Sequence, residues 1–141
     1  MKNILYLILP VVLVLLASCE GKKVDAKTLN GKWEIISVNG EKIKSVENQP
    51  YIEFDMSTKK VHGSGGCNIF NSTVTLSDTE ASSIKIAPAA ATMMACPEMD
   101  MESKIFKVLT EVTAVKSTDK PDEVALVNQA GEIVLLLSHS K

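Results

Sequence analysis

The chain has 141 residues, with 15 basic and 17 acidic side chains and a formal charge of −2 at neutral pH. This near-balance excludes the basic footprint of a nucleic-acid-binding surface, and the length admits one folded domain with a short extra segment rather than two cores. Hydrophobic residues make up 45% of the chain, enough for a packed core, and no internal repeat or low-complexity tract interrupts them.

At the N-terminus Lys2 precedes an apolar run from Ile4 to Leu16, broken only by Pro10. The run is shorter than the roughly 20 residues that a spanning helix requires, and predicts a signal-peptide core. It ends in Leu16-Ala17-Ser18-Cys19, which resembles a bacterial lipobox. Residues 1–18 are therefore expected to be removed and Cys19 lipidated; the bland alternative is an ordinary thiol at a secretory cleavage site. Two or three acyl chains, each contributing about 0.8 kcal/mol per buried CH₂, would hold the protein on a membrane durably. Glu20 rather than an aspartate follows the cysteine, which favours the outer membrane facing the periplasm. Removing residues 1–18 takes away Lys2 and no acid, leaving fourteen basic against seventeen acidic side chains.

Residues 19–27, ending in EGKKVDAK, are polar and aperiodic and predict a flexible tether. Lys22 and Lys23 are candidates to touch anionic head groups, against a simpler reading as a solvated linker. The folded domain is expected over residues 28–141. GKWEIISVNGEKI places Trp33, Ile35 and Ile36 before Asn39-Gly40, a dipeptide suited to a tight hairpin turn. YIEFDM alternates strictly, with Ile52, Phe54 and Met56 on one face of a half-buried strand. VHGSGGCNIFNSTVTL and SSIKIAP follow, and EVALV and EIVLLL flank Asn128-Gln129-Ala130-Gly131 as a second hairpin. Between them MDMESKIFKVLTEV carries Ile105, Phe106, Leu109 and Val112 at helical spacing, with Asp100 as the expected cap. The expected fold is mainly β (α+β by strict count), a small antiparallel barrel with one amphipathic helix packed on it; closure hides strand edges.

Gly63-Ser64-Gly65-Gly66-Cys67-Asn68 is the most unusual stretch. A phosphate loop is a poor fit, because no lysine and hydroxyl residue follow the last glycine and the next residues favour strand. Glycines within strands mark bends and close backbone approach. Cys67 and Cys96 remain once Cys19 is lipidated, and in an oxidising compartment they are expected to pair. Two buried free thiols and a redox or metal pair are the alternatives, and the 29-residue spacing lacks the CxxC pattern of catalytic redox chemistry. Met93, Met94, Met99 and Met101 surround Cys96 with soft donors suited to cuprous copper, with His62 as a further nitrogen; methionine as core filler is the stronger reading. A hydrolase is disfavoured: the chain holds two histidines, His62 and His139, and no GxSxG. Scattered carboxylates neither define nor exclude a glycosidase pair. Asn71-Ser72-Thr73 matches a glycosylation sequon, a match expected to be chance in a bacterial lipoprotein. No catalytic residue, metal or cofactor is assigned.

Taken in order, these segments resemble the META-domain family, including its HslJ-like lipoproteins. Leu29-Asn30-Gly31-Lys32-Trp33 with Val38-Asn39-Gly40 is similar to the opening strand and turn. Gly63 to Asn68 is similar to the glycine-cysteine-asparagine corner, and Thr92-Met93-Met94-Ala95-Cys96 to the second signature. Glu102, Phe106 and Leu109 fall on the family's helix, and the closing strand pair completes a resemblance over about residues 28–138. Asn71-Ser72 departs from it, standing where many members carry a glycine. The resemblance implies a lipocalin-like barrel with Gly63, Gly65, Gly66, Asn68 and Thr92 as structural motif residues, and an envelope or stress-related role without catalytic residues. The expected function is a non-enzymatic, lipid-anchored envelope domain that binds a partner protein or supports envelope integrity under stress; the alternative is a carrier of a small apolar ligand inside the barrel.

Overall fold

The computed structural model describes residues 21–44, 47–97 and 99–139. Cys19 and the expected signal peptide lie outside the described residues. The strands form where the alternation requires them. β1 (Gly31–Val38) turns through Asn39 and Gly40, both at positive φ, into β2 (Glu41–Lys42). The Asn–Gly pair adopts the left-handed conformation that a two-residue hairpin demands. β3 (Tyr51–Asp55) buries Ile52 and Phe54, and β4 (Lys60–Ser64) and β5 (Ile69–Leu76) continue the meander. β6 (Ile84–Ile86) and β7 (Ala90–Ala91) both pair with β5. Helix α1 (Asp100–Leu109) follows, then β8 (Ala114–Ser117), β9 (Glu123–Val127) and β10 (Ile133–His139). The β9–β10 hairpin turns at Gly131, φ 82°, where its amide donates to Asn128 O. Asn71 and Ser72, where the family pattern has glycine, simply continue β5, and Ser72 Oγ donates to Ala87 O at 2.6 Å.

Eight strands follow one another in the order β6-β5-β4-β3-β1-β10-β9-β8. The ends of this series meet: Ile84 N donates to Thr113 O and Val115 N to Ser82 O, giving a nearly closed antiparallel barrel with one helix. Three-residue β6 covers only the first half of the β8 edge. The second half is taken by residues expected to form the tether: Lys22 N donates to Ser117 Oγ at 3.1 Å, Ser117 N to Lys22 O at 2.8 Å and Val24 N to Val115 O at 3.3 Å. The expected flexible segment over 19–27 is thus docked from Lys22 onward, because the open β8 edge offers backbone groups that a short β6 cannot satisfy. Gly21 lies so close to Ser117 O that a β-carbon would overlap it.

The antiparallel register sorts the barrel into two ends. Gly31, Asp55, Lys60, Ser117, Glu123 and His139 lie at one; Val38, Tyr51, Ser64, Ile69, Val127 and Ile133 lie at the other. A 3₁₀ turn, Ala26–Leu29, closes the first end with Ala26 and Leu29 buried, and Trp33 Nε1 donates to Leu29 O at 2.8 Å. α1 serves the other, burying Ile105, Val108 and Leu109. Asp100 is the first helical residue rather than the cap; Met99 occupies the cap position and its side chain makes no capping bond. Inside, Ile35, Ile52, Phe70, Leu135 and Leu137 have no accessible surface and belong to one cluster. A water-sized void beside them would leave such surface, so these inward positions are filled by side chains.

The turn between β3 and β4 supplies a pH-dependent element. Asp55 Oδ1 accepts from the Ser57 hydroxyl and amide and from the Thr58 amide, led by the Ser57 hydroxyl, and these bonds hold its carboxyl below the ordinary 3.8. A lowered folded pKa stabilises the fold above the unfolded value and is lost as pH falls through the folded one. Asp55→Asn is therefore expected to flatten the acid limb of stability below about pH 4, measured as urea midpoint against pH; an unchanged limb would contradict this.

Candidate functional site at the glycine corner

The glycine stretch forms the tight connection from β4 to β5, at the α1 end of the barrel. Gly63, inside β4, packs against Tyr51 O and the Phe70 ring, where a β-carbon would overlap both. Gly65 lies against Glu102, and a β-carbon there would fall 2.9 Å from its Oε1 and closer still to its Cγ. Gly66 adopts φ 114°, a conformation closed to residues with a side chain. Space at two positions and backbone sign at the third account for the three glycines.

These glycines let the α1 carboxylate enter the turn. Glu102 is 2% exposed. Its Oε1 accepts from Cys67 N at 3.2 Å and Asn68 N at 2.5 Å, and its Oε2 from Asn68 Nδ2 at 2.8 Å. Asn68, also 2% exposed, spends its remaining capacity on the next segment. Its Oδ1 accepts from Met94 N at 2.7 Å and Thr92 Oγ1 at 2.8 Å, and its Nδ2 also donates to Met94 O at 3.2 Å. Thr92 Oγ1 in turn accepts from Ile69 N. A disulfide joins Cys67 to Cys96, with Cα atoms 6.3 Å apart. The structure thus brings Gly63, Gly65, Gly66, Cys67, Asn68, Thr92 and Cys96 into one unit. Among the described residues no buried side-chain nitrogen or oxygen lacks a partner.

Glu102, which the family resemblance places on the helix without a role at the corner, is its central residue. The signal was present: Glu102 stands three residues before Ile105 and seven before Leu109, on the buried stripe of the helix. A carboxylate on an apolar stripe calls for a dedicated partner set. Gly65→Ala is expected to lower the unfolding free energy by about 1–3 kcal/mol, because the added methyl group must displace Glu102 from its seat. Urea denaturation checks this; wild-type stability would mean that the carboxylate is not held there.

The remaining candidates lie elsewhere or are occupied. With Cys67 and Cys96 in a disulfide, neither offers a thiolate, and the described residues contain no cluster of three His, Cys, Asp or Glu side chains suited to a metal. Met56 and Met101 pack against the core. His62 stands on the outside of β4, its Nε2 3.3 Å from Glu53 Oε2, both about half exposed. Such a pair contributes at most about 1 kcal/mol. His139 stacks on Trp33 with ring centres 3.7 Å apart.

Three large apolar side chains stand exposed around the corner. Ile69, Met93 and Met94 are 54%, 96% and 57% exposed. Beside them an open groove of about 940 Å³ has a mixed lining, in which Ile43, Pro50, Tyr51, Met94, Met101 and the Cys67–Cys96 disulfide alternate with Glu47, Asn48, Gln49 and Ser64, and Lys32 is poised 4.1 Å over the Tyr51 ring.

A nearly closed antiparallel barrel carrying a disulfide-tied glycine corner and one helix defines a class of small β domains. The META-domain family model matches residues 26–141, and the chain belongs to that family. Solved structures share the fold. One, an NMR structure of a protein from Burkholderia xenovorans, has a TM-score of 0.65 at 18% identity and covers 89% of this chain and 94% of its own. A second NMR structure has a TM-score of 0.55 at 22% identity, covering 78% and 89%. A crystal structure of a DUF4847 family protein from Bacteroides vulgatus has a TM-score of 0.54 at 12% identity, covering 80% and 94%. No curated protein matches the chain.

Proposed function

We propose that this META-domain protein is a lipid-anchored, non-enzymatic module of the bacterial cell envelope whose corner presents a binding face to a partner protein. The observation that carries the reading is a contrast within one segment. Met94 has both its amide and its carbonyl held by Asn68, yet the side chains of Met93, Met94 and neighbouring Ile69 stand in solvent. With the Met94 backbone already held, a partner that covers this segment has less main chain to order, and methionine adapts its shape to the surface it meets. An exposed apolar patch beside a groove is the usual mark of an interaction site.

The polar groups of the corner are engaged with one another and with nearby backbone amides and carbonyls, which supports a structural role for them. The Leu16–Cys19 motif supports the membrane anchor, and the family resemblance supports an envelope-stress setting. A carrier of an apolar ligand is the weaker reading, since the inward side chains pack without accessible surface.

The test places a photo-crosslinking residue at Met93 in intact envelopes. Discrete adducts that vanish on Met94→Asp, with the unfolding midpoint unchanged, are expected. Turnover in a broad hydrolase screen that is lost on changing a single polar residue would overturn the reading.

A further inference from the structure

The docked N-terminal segment fixes more than barrel closure. Residues Lys22 to Val24 are hydrogen-bonded along the β8 edge, and Gly21 lies against Ser117. Ser117 belongs to the barrel end closed by Ala26–Leu29, whereas Gly65–Asn68, the groove and Met93–Met94 belong to the opposite end. Two residue steps separate Gly21 from Cys19, so the chain between an acylated Cys19 and the barrel spans at most about 7–8 Å. The strands, up to eight residues long and tilted, set the two ends roughly 15–20 Å apart. A leash shorter than the barrel cannot let the far end sit on the membrane while the first end points away from it.

Resting on the lipid-anchor reading, we infer that the mature protein stands on the membrane in one orientation. The end bearing Ala26–Leu29, the Met56–Lys59 turn and Lys120–Asp122 lies against the lipid surface, and the corner end points away from it. Lysines at that end (Lys22, Lys27, Lys59, Lys60 and Lys120) alternate with Asp25, Asp55, Asp119 and Asp122. The charges are interspersed and leave no strong basic field, so the covalent anchor and its short reach set the orientation and lipid charge does not. The partner face is thereby offered to the aqueous compartment at a fixed height.

The experiment uses the full lipidated protein in vesicles of phosphatidylethanolamine and phosphatidylglycerol. Thr58→Cys and Gln129→Cys, exposed positions at opposite ends, each carry a fluorophore, and the vesicles carry a head-group spin-label quencher. Thr58 is expected to be quenched several-fold more strongly than Gln129, in anionic and in purely zwitterionic vesicles. Inserting a flexible ten-residue linker between Glu20 and Gly21 is expected to erase that difference. Equal or reversed quenching in protein whose mass shows the acyl chains overturns the orientation while leaving the anchor intact. A mass without acyl chains overturns the anchor reading and the orientation with it.

Discussion

Glu102→Ala is expected to lower the unfolding free energy by about 3–5 kcal/mol, the largest effect of any single substitution at the corner. The alanine leaves Cys67 N, Asn68 N and one N–H of Asn68 Nδ2 without their acceptor, the latter two in a buried setting. Each buried donor left unmade costs about 1–3 kcal/mol, and bonds to a charged acceptor lie at the upper end. Glu102→Gln is expected to cost less, roughly 1–2 kcal/mol, because its carbonyl oxygen still accepts from both amides. Its NH₂ group then faces Asn68 Nδ2, donor against donor. Rotating the Asn68 amide would relieve that contact but set its NH₂ group against Met94 N. Denaturant unfolding of the two variants separates the losses; equal stability of Glu102→Ala and wild type would contradict the assigned role.

The second large effect concerns the disulfide. Its two cysteines are 29 residues apart, and closing a loop of that length stabilises the fold by about 3–4 kcal/mol through the unfolded chain. Cys67→Ala with Cys96→Ala should forfeit that amount while the native fold survives, because Asn68 and Thr92 still bind the 92–94 segment to the corner. Reductant should lower the wild-type midpoint by a similar amount and leave the double variant unmoved. A wild-type midpoint insensitive to reductant, with two thiols titrating in the unreduced denatured protein, would refute the pairing.

Much of this architecture is legible locally. Asn39-Gly40 needs positive φ at both positions and takes it; YIEFDM buries the face its alternation assigns. The helix follows from its apolar spacing. What was not legible depends on distant partners. Residues 22–27 look like a free tether until the short β6 leaves an edge of β8 unpaired, some 90 residues further along the chain. Asp100 resembles a cap by composition, yet the helix begins one residue earlier in register. Glu102 resembles an ordinary surface carboxylate until the glycines 37 and 36 residues before it open the turn that receives it. The corner was recognisable as a motif, but the residue at its centre comes from the helix.

Amide hydrogen exchange at Cys67 and Asn68 tests most directly the claim that the corner is a lock built on Glu102. Both amides lie in a glycine-rich turn that would exchange rapidly if merely solvated. The lock predicts exchange as slow as the core amides of β5, through global unfolding, and faster exchange in Glu102→Ala. Rates at Cys67 and Asn68 matching the exposed hairpin amide of Gln129 in the wild-type protein would contradict it.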